Sequence, residues 1–305
     1  MVIHKDAIRR EHLWMLVIVE GIIGVILLFL VMQGFISRVS VPTDNLQTLT
    51  GDVLVSQAEN RIANDDVRGG LALLDVTIAQ GETSARVYGA RAAAYAELGD
   101  YTNALSDYEQ AALLAPTSID FQFGVCYTGL RAENYQVASD GCGAVIQLDP
   151  QHTLAWNNRC YIRAYHLGAY TEALPDCTQA ILLNTDHPYP YNNRARAYLM
   201  TGAYQLAIND ATQSLTLNNP YAHMPLVNRG TAYMALGNAQ AALNDFQSAI
   251  DAAPEYAETY ARLGELYRWQ NFPEAARQSY CQYLGLTDIP LQSIIERADE
   301  LDGCN

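Results

Sequence analysis

Three asparagines, Asn158, Asn193 and Asn228, recur 35 residues apart in similar surroundings: Trp156-Asn157-Asn158-Arg159-Cys160, Tyr191-Asn192-Asn193-Arg194-Ala195 and Leu226-Val227-Asn228-Arg229-Gly230. A side-chain amide carries one acceptor and two donors, the complement of a peptide unit whatever its side chains. Six cysteines, at 126, 142, 160, 177, 281 and 304, could form disulfides or serve as buried thiols. The histidines at 4, 12, 152, 166, 187 and 223 do not recur at ligand spacing, and no Cys-x-x-Cys or His-Glu-x-x-His stands in the chain. Nucleophile motifs such as Ser-x-x-Lys and Gly-x-Ser-x-Gly, and a glycine-rich phosphate loop, are also missing. The chain reads as non-catalytic, with no metal, no cofactor and no small-molecule substrate. What the asparagines do depends on the elements that carry them.

A period of about 35 residues is the signature of a stacked helical repeat. The clearest copy runs Tyr88, Arg91-Ala92, Tyr95, Leu98-Gly99-Asp100-Tyr101, Ala104, Tyr108, Ala111, Pro116. Others are Tyr198, Gly202, Ala203-Tyr204, Ala207 and Tyr233, Leu236-Gly237, Ala242, Phe246, Ala249, Pro254. This grammar resembles the tetratricopeptide repeat family, strongly over 85–287 and weakly over 48–84. Small residues let two antiparallel helices touch, aromatics fill the gaps between pairs, glycine makes the turn and proline stops the second helix.

The resemblance implies an all-α fold, a right-handed solenoid of helix-turn-helix repeats. A degenerate first repeat is expected over 48–84, followed by six repeats at 85–118, 119–152, 153–187, 188–222, 223–256 and 257–290. The third carries a one-residue insertion in its first helix. Residues 291–305 form a capping helix and tail. First helices line the concave surface in this family, so the resemblance places Asn158, Asn193 and Asn228 in a groove, outside the core, with Arg196 and Tyr161 beside them. A structural reading stands next to that one, in which the asparagines only link neighbouring helices. Arg159, Arg194 and Arg229 lie about 100° further round the helix and are expected to pair with acids of adjacent helices. The variant of the family that clamps a partner's carboxylate needs groove lysines, and Lys5 is the only lysine here.

Aligning the repeats puts Cys126 and Cys160 in one slot, and Cys142 and Cys177 in another. The implied bridges are Cys126–Cys142, Cys160–Cys177 and Cys281–Cys304. Pairing across repeats, such as Cys142 with Cys160, remains open on the sequence, as do free thiols.

Residues 13–36 are a 24-residue apolar run whose one charge is Glu20. At about 1.5 Å per residue it matches a hydrocarbon core of about 30 Å. It is longer than the apolar region of a signal peptide, and no Ala-x-Ala-like site follows. Lys5, Arg9 and Arg10 precede it and only Arg38 follows soon after. The expectation is a single-pass signal anchor in the lipid bilayer, with a cytoplasmic tail at 1–12, a tether at 37–47 and the repeats outside. Glu20 is a candidate contact with another intramembrane helix, or a protonated residue reaching for the interface. The formal net charge is −15, and the segment 1–36 is neutral, so the excess acid lies in 37–305. Such a surface repels phosphate backbones and argues against nucleic acid as a partner. Two functions fit: a membrane-anchored extracytoplasmic module that holds a peptide segment or envelope protein, or an accessory structural subunit of one stable membrane complex.

Overall fold

A computed structural model of the chain describes residues 51–304. The tail 1–12, the apolar run 13–36 with Glu20, and the tether 37–47 lie outside the described residues. Among the described residues no helix is long and apolar enough to cross a membrane. There is no strand among them; every regular element is helical.

The chain divides into two compact units at Thr83/Ser84. In the first, α1 (Gly51–Ala63) and α2 (Val67–Ala79) pack as a pair. Leu54, Val55, Ala58, Leu73 and Leu74 are buried there. The Asp66 carboxylate accepts the Gly69 N–H at 3.0 Å and so starts α2.

The second unit is a solenoid of helix pairs: α3 (Ala85–Glu97) with α4 (Tyr101–Leu114), α5 (Ile119–Arg131) with α6 (Tyr135–Leu148), and α7 (Thr153–Tyr161) with α8 (Tyr170–Leu183). There follow α9 (Pro188–Met200) with α10 (Tyr204–Thr216), α11 (His223–Ala235) with α12 (Ala239–Ala252), and α13 (Ala257–Trp269) with α14 (Pro273–Gly285). A last helix, α15 (Gln292–Asp299), buries Ile294 and Ala298 against Tyr280 and Tyr283 of α14. Each pair turns on a residue with positive φ, such as Gly237 at 79°, where a side chain would strain the backbone. Pairs touch where a small residue faces an aromatic. A Cβ on Gly264 would lie 2.4 Å from the Tyr280 ring, so only glycine lets α13 and α14 close on it.

The insertion in the third repeat becomes a π turn. After α7 the helix widens over Ile162–His166, and the Leu167 N–H reaches back five residues to the Ile162 carbonyl at 3.0 Å. The Arg–Asp pair of this repeat is accordingly 17 residues apart, against 16 in its neighbours.

Three disulfides staple the solenoid. Cys126–Cys142 joins α5 to α6, Cys160–Cys177 joins α7 to α8, and Cys281–Cys304 ties α14 to the tail. Their Cα separations are 4.8, 5.1 and 5.4 Å. The first four sulfurs occupy fully buried slots at the helix contacts, where other repeats place alanine, glycine or an aromatic.

Candidate functional site

A forked arginine–aspartate pair closes four of the repeats, in three of them from the arginine that follows the asparagine. Arg91, Arg159, Arg194 and Arg229 each grip an aspartate of the second helix with two nitrogens: Asp107, Asp176, Asp210 and Asp245, at 2.6–3.0 Å. Such forked pairs fix geometry as well as charge. Arg194 and Arg229 each reach one repeat back, to the Thr178 and Thr212 hydroxyls at 3.2 and 3.1 Å. In the third repeat Arg163 also binds Asp176, at 2.7 Å. These guanidinium groups are committed to the scaffold.

The asparagines form a diagonal ladder between first helices. Asn193 donates to the Asn157 carbonyl oxygen at 3.2 Å, and Asn228 donates to the Asn192 oxygen at 3.0 Å. The π turn delivers Tyr165 to the foot of this ladder, where its hydroxyl accepts from Asn192 at 2.9 Å and from Asn228 at 3.0 Å. Burial, the largest influence, pushes the Tyr165 phenol up to about 12, against the Arg196 charge and the two amide donors. It is a neutral hydrogen-bonding group at any physiological pH.

Next to it, Arg196 of α9 lies over the Tyr165 ring at 5.4 Å and pairs with Glu258 of α13 at 3.0 Å. The same Glu258 oxygen accepts from Arg262 at 3.0 Å, and the other accepts the Tyr256 hydroxyl at 2.9 Å. Burial works to raise the Glu258 carboxyl, but Arg196 and Arg262 outweigh it and hold the group at about 2.

Two hollows flank this network. One, of about 330 Å³, lies between α7, α9 and the entry to α11 and is lined by Asn157, Asn158, Tyr161, Tyr189, Asn192, Asn193, Asn219, Tyr221 and Met224. No lining side chain is charged, in a chain of net charge −15. The second, of about 330 Å³, lies between α13 and α15 and is lined by Arg196, Glu258, Arg262, Glu265, Arg297 and the apolar Leu291 and Ile294 among others. Its arginines are paired: Arg297 to Glu265, which also accepts the Tyr280 hydroxyl at 3.1 Å. A file of rings, His187, Tyr189, Tyr221, His223 and Tyr256, runs from the first hollow along α9, α11 and α13, neighbours 4.6–6.3 Å apart.

Of the residues expected in a groove, Asn158, Asn193 and Tyr161 border the uncharged cavity. Asn228 does not; it is 2% exposed and spends its amide on Asn192 and Tyr165. Asn193 is 3% exposed, so the expectation that these amides lie outside the core is corrected: the ladder is part of the packing between repeats. Asn158 is half-buried, and its amide nitrogen makes a long contact of 3.9 Å with the Cys126 sulfur. Arg196 is locked on Glu258. Sequence reasoning passed over Asn157, whose amide nitrogen stays outside the ladder while its oxygen is used, and Asn193 leaves its own oxygen outside the ladder. The doubled Asn157-Asn158 and Asn192-Asn193 were the available signal, as was the insertion for Tyr165.

Compared with known families, residues 85–118 and 227–287 match models of the tetratricopeptide repeat. Both stretches are tetratricopeptide repeats, and the helix pairs between them stack in the same way. No curated protein matches the chain. Among solved structures, a tetratricopeptide repeat protein from Parabacteroides merdae is similar over 83% of this chain and 99% of its own, with 14% identity and a TM-score of 0.64. The APC/C hetero-tetramer Cut9-Hcn1 gives 16% identity and a TM-score of 0.61 over 88% of this chain, which spans 52% of that one. YrrB, described as a TPR protein with an unusual peptide-binding site, gives 18% identity and a TM-score of 0.50 over 61% of this chain and 95% of its own. At these identities the likeness is one of fold.

Proposed function

We propose, from the premise that this is a chain of tetratricopeptide repeats, that it works as a membrane-anchored, extracytoplasmic interaction module with no catalysis of its own. Its uncharged cavity between α7, α9 and α11 holds an extended peptide segment of a partner protein. The observation that carries this reading is the pair of groups the ladder leaves over: the Asn157 amide nitrogen, a donor, and the Asn193 amide oxygen, an acceptor, on adjacent first helices. One peptide unit presents the matching acceptor and donor. Peptide-backbone recognition therefore shifts from the column 158, 193, 228 to this diagonal. That YrrB is described as binding a peptide accords with a peptide as the class of partner.

Three disulfides fit an oxidising compartment, and the apolar run 13–36 fits an anchor that confines the repeats beside a membrane. The net charge of −15 speaks against nucleic acid. A second reading, the accessory subunit that braces one stable membrane complex, is favoured by the ladder and by the Arg196–Glu258 pair, which stiffen the concave side without a ligand.

A pulldown of the full chain in mild detergent separates the two. The module retains substoichiometric clients that Tyr189→Ala releases. Stoichiometric co-purification that Tyr189→Ala leaves intact overturns the module in favour of the subunit.

A further inference from the structure

We infer that the uncharged cavity selects an aromatic side chain as the anchor of the bound segment, on a peptide whose flanks are basic. The inference rests on the peptide reading above and names the partner's chemistry.

The cavity combines three tyrosines, Tyr161, Tyr189 and Tyr221, with the thioether of Met224 and amide side chains. An acidic or basic side chain entering it finds no counter-charge and loses its water, so both are excluded. A small aliphatic side chain gains burial but leaves the ring edges and the sulfur without a specific partner. An aromatic ring uses them all: tyrosines meet it edge-to-face, and the Met224 sulfur meets it at the ring. The volume, about 330 Å³, accommodates a ring together with the peptide unit that carries it. Tyr221 is 55% exposed, and the ring file that it joins leads on to His223 and Tyr256. A half-exposed aromatic surface of that kind, beside a preformed hollow, suits the buried aromatic anchors that dominate interface energetics. Outside the cavity the balance reverses. The excess acid lies in 37–305, so lysines and arginines on either side of the anchor are drawn in and acidic flanks are repelled.

The test uses full-length protein in detergent and C-terminally amidated peptides Arg-Ser-Gly-X-Gly-Ser-Arg that carry a fluorophore on the N-terminal amine, with X as Trp, Tyr, Leu, Gly or Glu. Anisotropy should give Trp and Tyr at least about tenfold tighter binding than Glu, with Leu between, and weaker binding at high salt. Tyr221→Ala should reduce affinity for the Trp peptide about fivefold, and by more than it reduces affinity for the Gly peptide; its exposed position makes it a mild change to the fold. Met224→Glu should abolish the preference for Trp. Equal affinity for all five peptides overturns the aromatic anchor and leaves the peptide groove standing. Binding of none, with tetra-N-acetylglucosamine bound instead in a Tyr189-dependent manner, overturns both and makes the cavity a glycan site.

Discussion

Asn228 donates a hydrogen bond to the Tyr165 hydroxyl at 3.0 Å, across 63 residues of sequence and from two repeats away. With Asn192 on the same hydroxyl at 2.9 Å, one phenol joins three successive first helices. The π turn makes this possible, because it rotates residue 165 out of the pattern followed by its counterparts. Tyr165→Phe keeps the ring and removes the acceptor from two buried amides. The expected cost is about 1–3 kcal/mol, read by urea unfolding with the disulfides intact.

The forked arginines provide a built-in comparison. Asp245 receives Arg229 as its guanidinium partner, whereas Asp176 has Arg159 and Arg163. Arg229→Leu strands a nearly buried carboxylate and should cost about 3 kcal/mol. Arg159→Leu should cost at least about 1 kcal/mol less, because Arg163 still neutralises Asp176. Equal losses in chemical denaturation would contradict the pairing.

Much of this was legible in advance, for a physical reason. Repeat period, helix pairs and the fellowship of Cys126 with Cys160 follow from local grammar copied at fixed spacing, and so does the pairing of arginines with second-helix acids. Contacts that skip a repeat have no such copies. Arg196–Glu258 spans 62 residues, and the slot of Arg196 holds Thr231 and Glu265 in the next two repeats, so no periodicity announces it. The asparagine column was visible, but not its slant. Bonds run from one repeat's Asn to the residue before the matching Asn of the previous repeat, 36 residues back rather than 35. That slant is what decides which amide atoms face the cavity.

Reduction should proceed in two stages. Cys126, Cys142, Cys160 and Cys177 are fully buried, while Cys281 is half-buried and Cys304 exposed. Dithiothreitol on native protein should open Cys281–Cys304 first, seen as two alkylated cysteines by mass spectrometry. The other two bridges should resist until the protein unfolds. Each closes a loop of 16 or 17 residues, worth about 3 kcal/mol on the chain-entropy account.

Acid should reveal Glu258. Its carboxyl titrates at about 2 in the fold against an ordinary value of 4.5, held down by Arg196 and Arg262 in spite of burial. A depressed carboxyl contributes stability above its unfolded value and loses it as the pH falls through the folded one. The contribution, on the order of 3 kcal/mol, should fade between about pH 4.5 and pH 2. Glu258→Gln should flatten the melting curve's dependence on pH in that window, and an unchanged slope would remove Glu258 from the network.

In the proposed module the cavity grips a peptide backbone through Asn157 and Asn193. Asn157→Asp keeps the oxygen that accepts from Asn193, so the ladder can persist, and replaces the outward donor with an acceptor. Titration calorimetry of the full chain, parent and variant, against the Trp-centred peptide measures that grip. At least about a tenfold loss of affinity is expected, with a melting temperature within a few degrees of the parent. Unchanged affinity in a folded Asn157→Asp protein would contradict it and assign these asparagines to the scaffold alone.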